Sequence, residues 1–566
     1  MDTDKKYNVE KNCVIELDFK SSRDYKNPFN EIELDGLFTG PDGKTVKIPA
    51  FWAGGDLWKI RYASPVKGMH KFLTECSDSQ NNGLHSKSGK IDIAEYTGNN
   101  KIIKHGPIIV SDNKKYFQHE DGEPFFWLGD TEWYSFIKDF IWPDEFKEMV
   151  ADRVEKGFNL MHLIVGYLPG WPENDLGGGN EGGLPWSEGY EMINPGYFDH
   201  TDVRIEYILQ NEIVPCIFGS WGYWLLRLGT DNMKKHWRYL IARYGAYPVI
   251  WSSCGEIALN YPDTKIGKTE NEILQDHEKL IVEWSKITEH IKEIDPYKRP
   301  LTAHTSGGKS SADVLIGDSY IDFLMAQTGH QFNSIPNMLK VIKKMRSHKP
   351  EMPFLVGECL YEGIMGHAWQ DVQRFAIWVS VLNGAAGHTY GAGDGGWQRL
   401  HEGTESIEPT SGNWMSFTDW REVLKLEGSG QMQFCKKLME KYSWWEFEPH
   451  PEWLDIRDNV LYDTFDAPIY VGEYLGRKDN DCFIPHAAGI KDKVRIIYLP
   501  SKSYSTGILS AVLDLDNNKS YRAFVYDPRN GKEIDLEISE IKNGRWESPF
   551  FSKYRMDYVI VIENLE

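Results

Sequence analysis

Two glutamates in the middle of this 566-residue chain share one local setting. Trp251-Ser-Ser-Cys-Gly-Glu256 and Phe354-Leu-Val-Gly-Glu358 each run an apolar or β-branched strand into a small residue and then a carboxylate. Cleaving a glycosidic bond requires one carboxyl to protonate the leaving oxygen and a second to face the anomeric carbon. Two glutamates ending separate strands are the smallest set of groups able to do both.

Such acids must be held by something rigid, and the surrounding pattern supplies it. From about residue 106 to 445, short apolar strands alternate with amphipathic helices, the signature of repeated βα units on a parallel sheet. Eight strands are expected: Phe125–Gly129, Leu160–Val165, Val214–Gly219, Val249–Ser252, Arg299–Ala303, Phe323–Ala326, Phe354–Val356 and Gly387–Tyr390. Helices between them include Pro143–Lys156, closed by Gly157, and Asn271–Ile294. Eight repeats predict an α/β fold, a (β/α)8 TIM barrel whose chemistry lies at the carboxyl ends of its strands. Before about residue 104 and beyond about 450 the period is two, in segments such as Cys13-Val-Ile-Glu-Leu-Asp-Phe and Tyr558-Val-Ile-Val-Ile562. The expected organisation is an N-terminal β-sandwich over 1–104, the barrel over 105–448 and a C-terminal β-sandwich over 449–566. Gly177-Gly-Gly-Asn-Glu-Gly-Gly183 lacks the Lys-Ser/Thr of a phosphate loop and reads as a flexible rim loop. The longer loops Gly166–Asn194 and Gly391–Trp414 are expected to wall the pocket.

At the strand ends stand Asp130 with Trp133, Tyr167, Trp221 with Tyr223, Glu256, His304, Gln327 with His330, Glu358 with Tyr361, and Tyr390 with Trp397. Polar, aromatic and acidic types together suit a sugar pocket, where rings cover C–H surfaces and amides, imidazoles and acids bond hydroxyls. Glu256 follows the fourth strand and Glu358 the seventh, nearly opposite across a barrel mouth. Carboxyls about 5 to 5.5 Å apart would give retention, with Glu358 as nucleophile and Glu256 as acid and then base. Glu256 must then stay protonated near neutral pH, through burial or a neighbouring negative charge, and Trp251, Cys254 and Glu358 are the candidates to supply these.

With these stretches in view, the chain resembles the apiosidase-like glycoside hydrolases: a DUF4038-type catalytic barrel, a DUF5060-type N-terminal sandwich and a C-terminal sandwich of the collagen-binding type. The matching stretches are Phe125-Phe-Trp-Leu-Gly-Asp130-Thr-Glu-Trp133, Gly255-Glu256, Gln327-Thr-Gly-His330, Gly357-Glu358-Cys-Leu-Tyr361-Glu362 and Gly387-His-Thr-Tyr390-Gly391. The resemblance spans nearly the whole chain and implies hydrolysis of a glycoside by acids after strands four and seven. Gly255-Glu256 stands where the family usually carries Gly-Asp.

Composition narrows the alternatives. A net charge of −21 repels phosphate backbones and argues against nucleic acid. No run of about 18 apolar residues is present to span a membrane. Seven cysteines without C-x-x-C spacing argue against a disulfide framework or zinc site, and with no apolar leader after Met1 they suggest a cytoplasmic protein, though a trimmed leader would leave the same sequence. The expected partner is a carbohydrate substrate, with assembly as a homo-oligomer left open and no cofactor implied. A metal-dependent hydrolase using His162, His304, His330 and His388 is a weaker reading, because no His-x-His follows the first strand. The alternative from another class is a non-catalytic carbohydrate-binding protein on a glycosidase scaffold.

Overall fold

The structure is a computed structural model that describes residues 6–171, 173–258, 265, 267–317, 320–330, 334–364, 368–393, 401, 419–458, 483–501, 505, 507–538, 540–547 and 556–566. Its centre is a mixed α/β unit built on a curled nine-stranded sheet. Eight strands are parallel: β1 (Trp127–Thr131), β2 (Leu160–Ile164), β3 (Val214–Phe218), β4 (Ile250–Ser252), β5 (Leu301–Thr302), β6 (Leu324–Gln327), β7 (Phe354–Glu358) and β8 (Gly387–Tyr390). They lie in the order β5-β4-β3-β2-β1-β8-β7-β6, and the ninth strand, Lys309–Ser310, pairs antiparallel on β6. Almost every residue of these strands is buried, as expected of a sheet covered on both faces. The sheet curls, and hydrogen bonds link β5 to the residues just before β6: the Asp322 N–H donates to Leu301 O at 2.8 Å and Thr302 Oγ1 to Phe323 O at 2.9 Å.

Helices α1 (Asp144–Glu155), α2 (Pro195–Gln210), α3 (Thr230–Tyr244), α4 (Glu270–Ile294), α5 (Ser334–Arg346), α6 (Gln370–Leu382) and α7 (Glu427–Met439) alternate with or follow the strands. Their ends carry the local chemistry that stops and starts helices. Thr269 and Glu272 form a reciprocal capping box at α4, and Gly157, with φ of 80°, follows α1.

The first strand begins two residues later than periodicity predicts. Phe125 belongs instead to an antiparallel sheet of Ile108–Val110, Phe117–His119 and Pro124–Phe125. That small sheet plugs the amino end of the curled sheet, with the Phe117 ring 5.3 Å from Trp127 and 5.1 Å from Phe323. The plug leaves the carboxyl end as the one free for chemistry.

The N-terminal segment forms a five-stranded and a three-stranded sheet. Along Gly68–Cys76, His70, Phe72, Thr74 and Cys76 point inward and their neighbours outward, the period of two seen in the sequence. The three-stranded sheet docks on α3, where Tyr239 donates to Trp52 O and Arg61 pairs with Asp202 of α2 at 2.5 Å. The C-terminal segment forms a six-stranded and a three-stranded sheet, and Arg374 of α6 is clamped by both oxygens of Asp557. Among the described residues no helix is long and apolar enough to cross a membrane. The glycine-rich stretch is not loose: Gly178 and Asn180 are buried, and Asn180 Nδ2 donates to Tyr197 O at 2.8 Å, fixing the loop on the start of α2.

Candidate active site

Both acids stand at the carboxyl end of the sheet, and the small residue before each has a packing reason. A Cβ on Gly255 would lie 2.2 Å from the Trp221 ring, and one on Gly357 would lie 2.3 Å from Met325 Cγ. Neighbouring side chains therefore press directly on the backbone that presents each carboxylate. Glu256 itself adopts φ of 36°, left-handed and strained for a residue with a side chain. The backbone around it is pinned to hold that conformation. Gly255 N–H donates to Ser220 O at 2.9 Å, Glu256 N–H to His304 Nδ1 at 3.3 Å and Ile257 N–H to His304 O at 3.0 Å.

His304 links the two acids. Because Nδ1 accepts from Glu256, the ring proton sits on Nε2, which lies 2.9 Å from Glu358 Oε2. His330 Nε2 donates to the other oxygen, Oε1, also at 2.9 Å. Gln327 Nε2 donates to Glu256 Oε1 at 2.9 Å. Three side chains, His304, Gln327 and His330, thus gather around the two carboxyls presented at the ends of β4 and β7.

The same contacts drive the acids apart in charge. Burial, and then the nearby Glu358 carboxylate, raises the Glu256 pKa to about 7, against opposing contributions from His304 and Gln327. Burial also pushes Glu358 upward, but hydrogen bonds from His304 and His330 outweigh it and hold Glu358 well below the usual carboxylate range. Of the two, Glu256 is therefore the one that keeps its proton as pH rises towards 7. Two carboxyls whose environments separate their ionisation are suited to acid and nucleophile roles. Trp251 does not contribute: its Nε1 donates to Asp295 at 3.1 Å and its ring packs on Trp237 of α3, on the helix side of the sheet.

Around the acids lies a buried aromatic cluster. Trp133 is at its centre, with ring centroids 4.9 Å from Phe218, 5.4 Å from Trp221, 5.7 Å from His162 and 5.9 Å from His304. Trp133 Nε1 donates to Tyr361 Oη at 2.8 Å, and the Tyr361 ring lies tilted against His330 at 4.5 Å. Burial and then the Glu358 charge raise the Tyr361 phenol well above its ordinary value, so it remains a neutral donor. Tyr167 and Tyr223 sit beside this cluster, packed on Trp224 at 4.3 and 5.6 Å, with Arg227 over the same rings. The Glu256, Glu358, Trp133, Trp221, His304, Gln327, His330 and Tyr361 side chains are therefore brought together, with Tyr167 and Tyr223 alongside. Trp397 lies outside the described residues, as does most of the Gly391–Trp414 loop.

Asp130 and Tyr390 are not with them. Both project from the outer face of the sheet: Arg153 Nε of α1 donates to Asp130 Oδ2 at 2.5 Å, and Tyr390 donates to Glu362 at 2.6 Å with its ring 5.9 Å from the same guanidinium. Glu362 in turn accepts from the Gly428 N–H at the start of α7, a favourable place for a carboxylate. Asp130 and Tyr390 thus fasten helices to the sheet, through contacts on the face away from the two acids. Arg153→Met should lower stability by about 3 to 5 kcal/mol, because Asp130 is left charged with its buried cation removed. Urea denaturation followed by tryptophan fluorescence checks this, and a loss below about 1 kcal/mol would show the pair to be dispensable.

Thr131 is a site neighbour that pattern reading passed over, and His162 is one that it named only as a metal ligand. Strict alternation from inward-facing Trp127 would have placed Thr131, not Asp130, on the inner face. His162 is fully buried beneath Trp133, and burial drives its pKa down to about 3, so it is neutral. His388 is also fully buried, paired in register with Leu128 of β1 and Val356 of β7. Among the described residues no group of three or more His, Cys, Asp or Glu is arranged to hold a metal ion.

Comparison with known proteins agrees with this geometry. Residues 8–77 match a domain of unknown function, DUF5060. No curated protein matches the chain. Among solved structures, a glycoside hydrolase superposes with a TM-score of 0.64 at 21% identity, over 81% of this chain and 97% of that one. A glycoside hydrolase family 5 protein from Bacteroides vulgatus ATCC 8482 superposes at 0.63 with 22% identity, covering 82% and 93%. A second, provisionally assigned glycoside hydrolase from that organism spans 99% of this chain and 100% of its own at a TM-score of 0.67 and 16% identity. At these identities the likeness is one of fold. The catalytic-domain match is the decisive one: residues 111–446 match the apiosidase-like catalytic domain, more than half of the chain, which therefore belongs to the apiosidase-like family of glycoside hydrolases.

Proposed function

We propose that this hydrolase cleaves the glycosidic bond of an oligosaccharide or glycoside by double displacement with retention, on a closed (β/α)8 barrel flanked by two β-sandwiches. In the first step Glu358 attacks the anomeric carbon while Glu256 gives its proton to the departing oxygen. In the second, Glu256 as carboxylate takes a proton from water, which attacks the same carbon and releases Glu358. Trp133, Trp221, Tyr361, His304, Gln327 and His330 are assigned to sugar contacts, with Tyr167 and Tyr223 at the rim.

The observation that carries this reading is the set of polar side chains around two buried carboxyls, whose surroundings push one acid up and the other down. An inverting enzyme would need a base with room for water between the acids. Here Glu358 accepts from His330 on one oxygen and has His304 Nε2 2.9 Å from the other, which steadies an anion facing carbon. Proton NMR of the first-formed product is expected to show the anomer of the substrate. Appearance of the opposite anomer before mutarotation would rule out the double displacement.

A further inference from the structure

Gln327 occupies the register break of the β6–β7 ladder: Ala326 pairs with Val356, but Gln327 pairs with Glu358, skipping Gly357. A bulge of this kind re-aims the side chain that follows it. Here it brings the carboxamide to Glu256, where Nε2 donates to Oε1 at 2.9 Å. The other end of the same amide, Oε1, is buried and has no hydrogen-bond partner among the described residues. A buried acceptor left open in a native site calls for a donor from elsewhere. At a sugar site that donor is a hydroxyl.

We infer that Gln327 is a positioning and specificity residue, whose N–H fixes the acid proton of Glu256 on Oε2 and whose carbonyl oxygen accepts a hydroxyl hydrogen of the bound sugar. A neutral carboxyl has one carbonyl-type oxygen and one hydroxyl oxygen. An N–H held against Oε1 stabilises it as the carbonyl-type oxygen, so the proton resides on Oε2. On reaction that proton passes from Oε2 to the leaving oxygen as the C–O bond breaks, and Glu256 becomes a carboxylate still bonded to Gln327. One amide thus couples recognition of a sugar hydroxyl to placement of the proton. The strained backbone of Glu256 and its anchorage to His304 fix the point from which the carboxyl is presented.

This rests on the acid assignment above, and the test separates the two. In full-length protein without substrate, the infrared C=O band of protonated Glu256, identified as the band lost in Glu256→Gln, is followed against pH. Gln327→Met removes both ends of the amide at nearly constant size. It is expected to move the midpoint of this titration upward, because the hydrogen bond that favours the anion is gone. On aryl glycosides of the sugar turned over, Gln327→Met should lose with 4-nitrophenol about as much kcat/KM as the missing hydroxyl costs the wild type, and roughly 10-fold more than that with phenol, whose departure needs the proton. In a monodeoxy series, one missing hydroxyl should cost the wild type heavily and Gln327→Met nothing further. Gln327→Glu, which keeps an acceptor but no N–H, should raise the midpoint while retaining the hydroxyl preference, and it serves if Gln327→Met does not fold. An unmoved midpoint with equal losses on both leaving groups would reduce Gln327 to packing. A wild-type Glu256 that titrates as an ordinary carboxylate would instead overturn the acid assignment.

Discussion

Glu358→Gln is expected to abolish turnover, lowering kcat/KM by about 10⁴-fold or more with the fold intact. The carboxylate stands between His304 and His330 at 2.9 Å from each, and it is the group that would both attack carbon and balance positive charge developing there. A carboxamide does neither, and its NH2 group meets an imidazole that is itself a donor. The substitution also removes one of the two main influences that raise Glu256, so the acid should titrate lower in this variant. Smaller Glu358→Ala should be rescued on activated aryl glycosides by azide, giving a glycosyl azide of opposite configuration. More than a tenth of wild-type activity in purified Glu358→Gln, free of contaminating wild type, would remove Glu358 from the nucleophile role.

Glu256→Gln should show a loss that depends on the leaving group: about 10² to 10⁴-fold on substrates whose leaving oxygen must be protonated, and much less on 4-nitrophenyl or 2,4-dinitrophenyl glycosides. Its pH profile is the sharper signature. The acid works only in its protonated form, and burial with the Glu358 charge raises its pKa to about 7. Wild-type activity should therefore be full below that point and fall as pH rises through it. The acidic limb, set by Glu358, should lie below the ordinary carboxylate range, because its two imidazole donors keep it ionised. Glu256→Gln should lose the limb near pH 7 on activated substrates. Equal losses on both substrate types, or a limb unchanged by the substitution, would contradict the acid assignment.

Much of this site is legible without coordinates, for reasons of local chemistry. Strand patterns that end in Gly255-Glu256 and Gly357-Glu358 mark two acids at the carboxyl end of a parallel sheet, and the glycines prove to be where Trp221 and Met325 press on the chain. The aromatic and imidazole residues at neighbouring strand ends follow from the same βα alternation. Which face each residue takes was decided only in three dimensions. A period of two states which residues share a face but not which face is inner, and a shift of one residue exchanges them. Phe125 joined the plug beneath the sheet, β1 began at Trp127, and Asp130 fell on the outer face with Arg153. The linking of both acids through His304, and the bulge that turns Gln327 onto Glu256, depend on contacts between residues 31 to 71 positions or more apart, which no local pattern encodes. Sequence thus singled out two candidate acids and the βα pattern that carries them, while tertiary packing selected their partners, because charge and hydrogen bonding act through space and not along the chain.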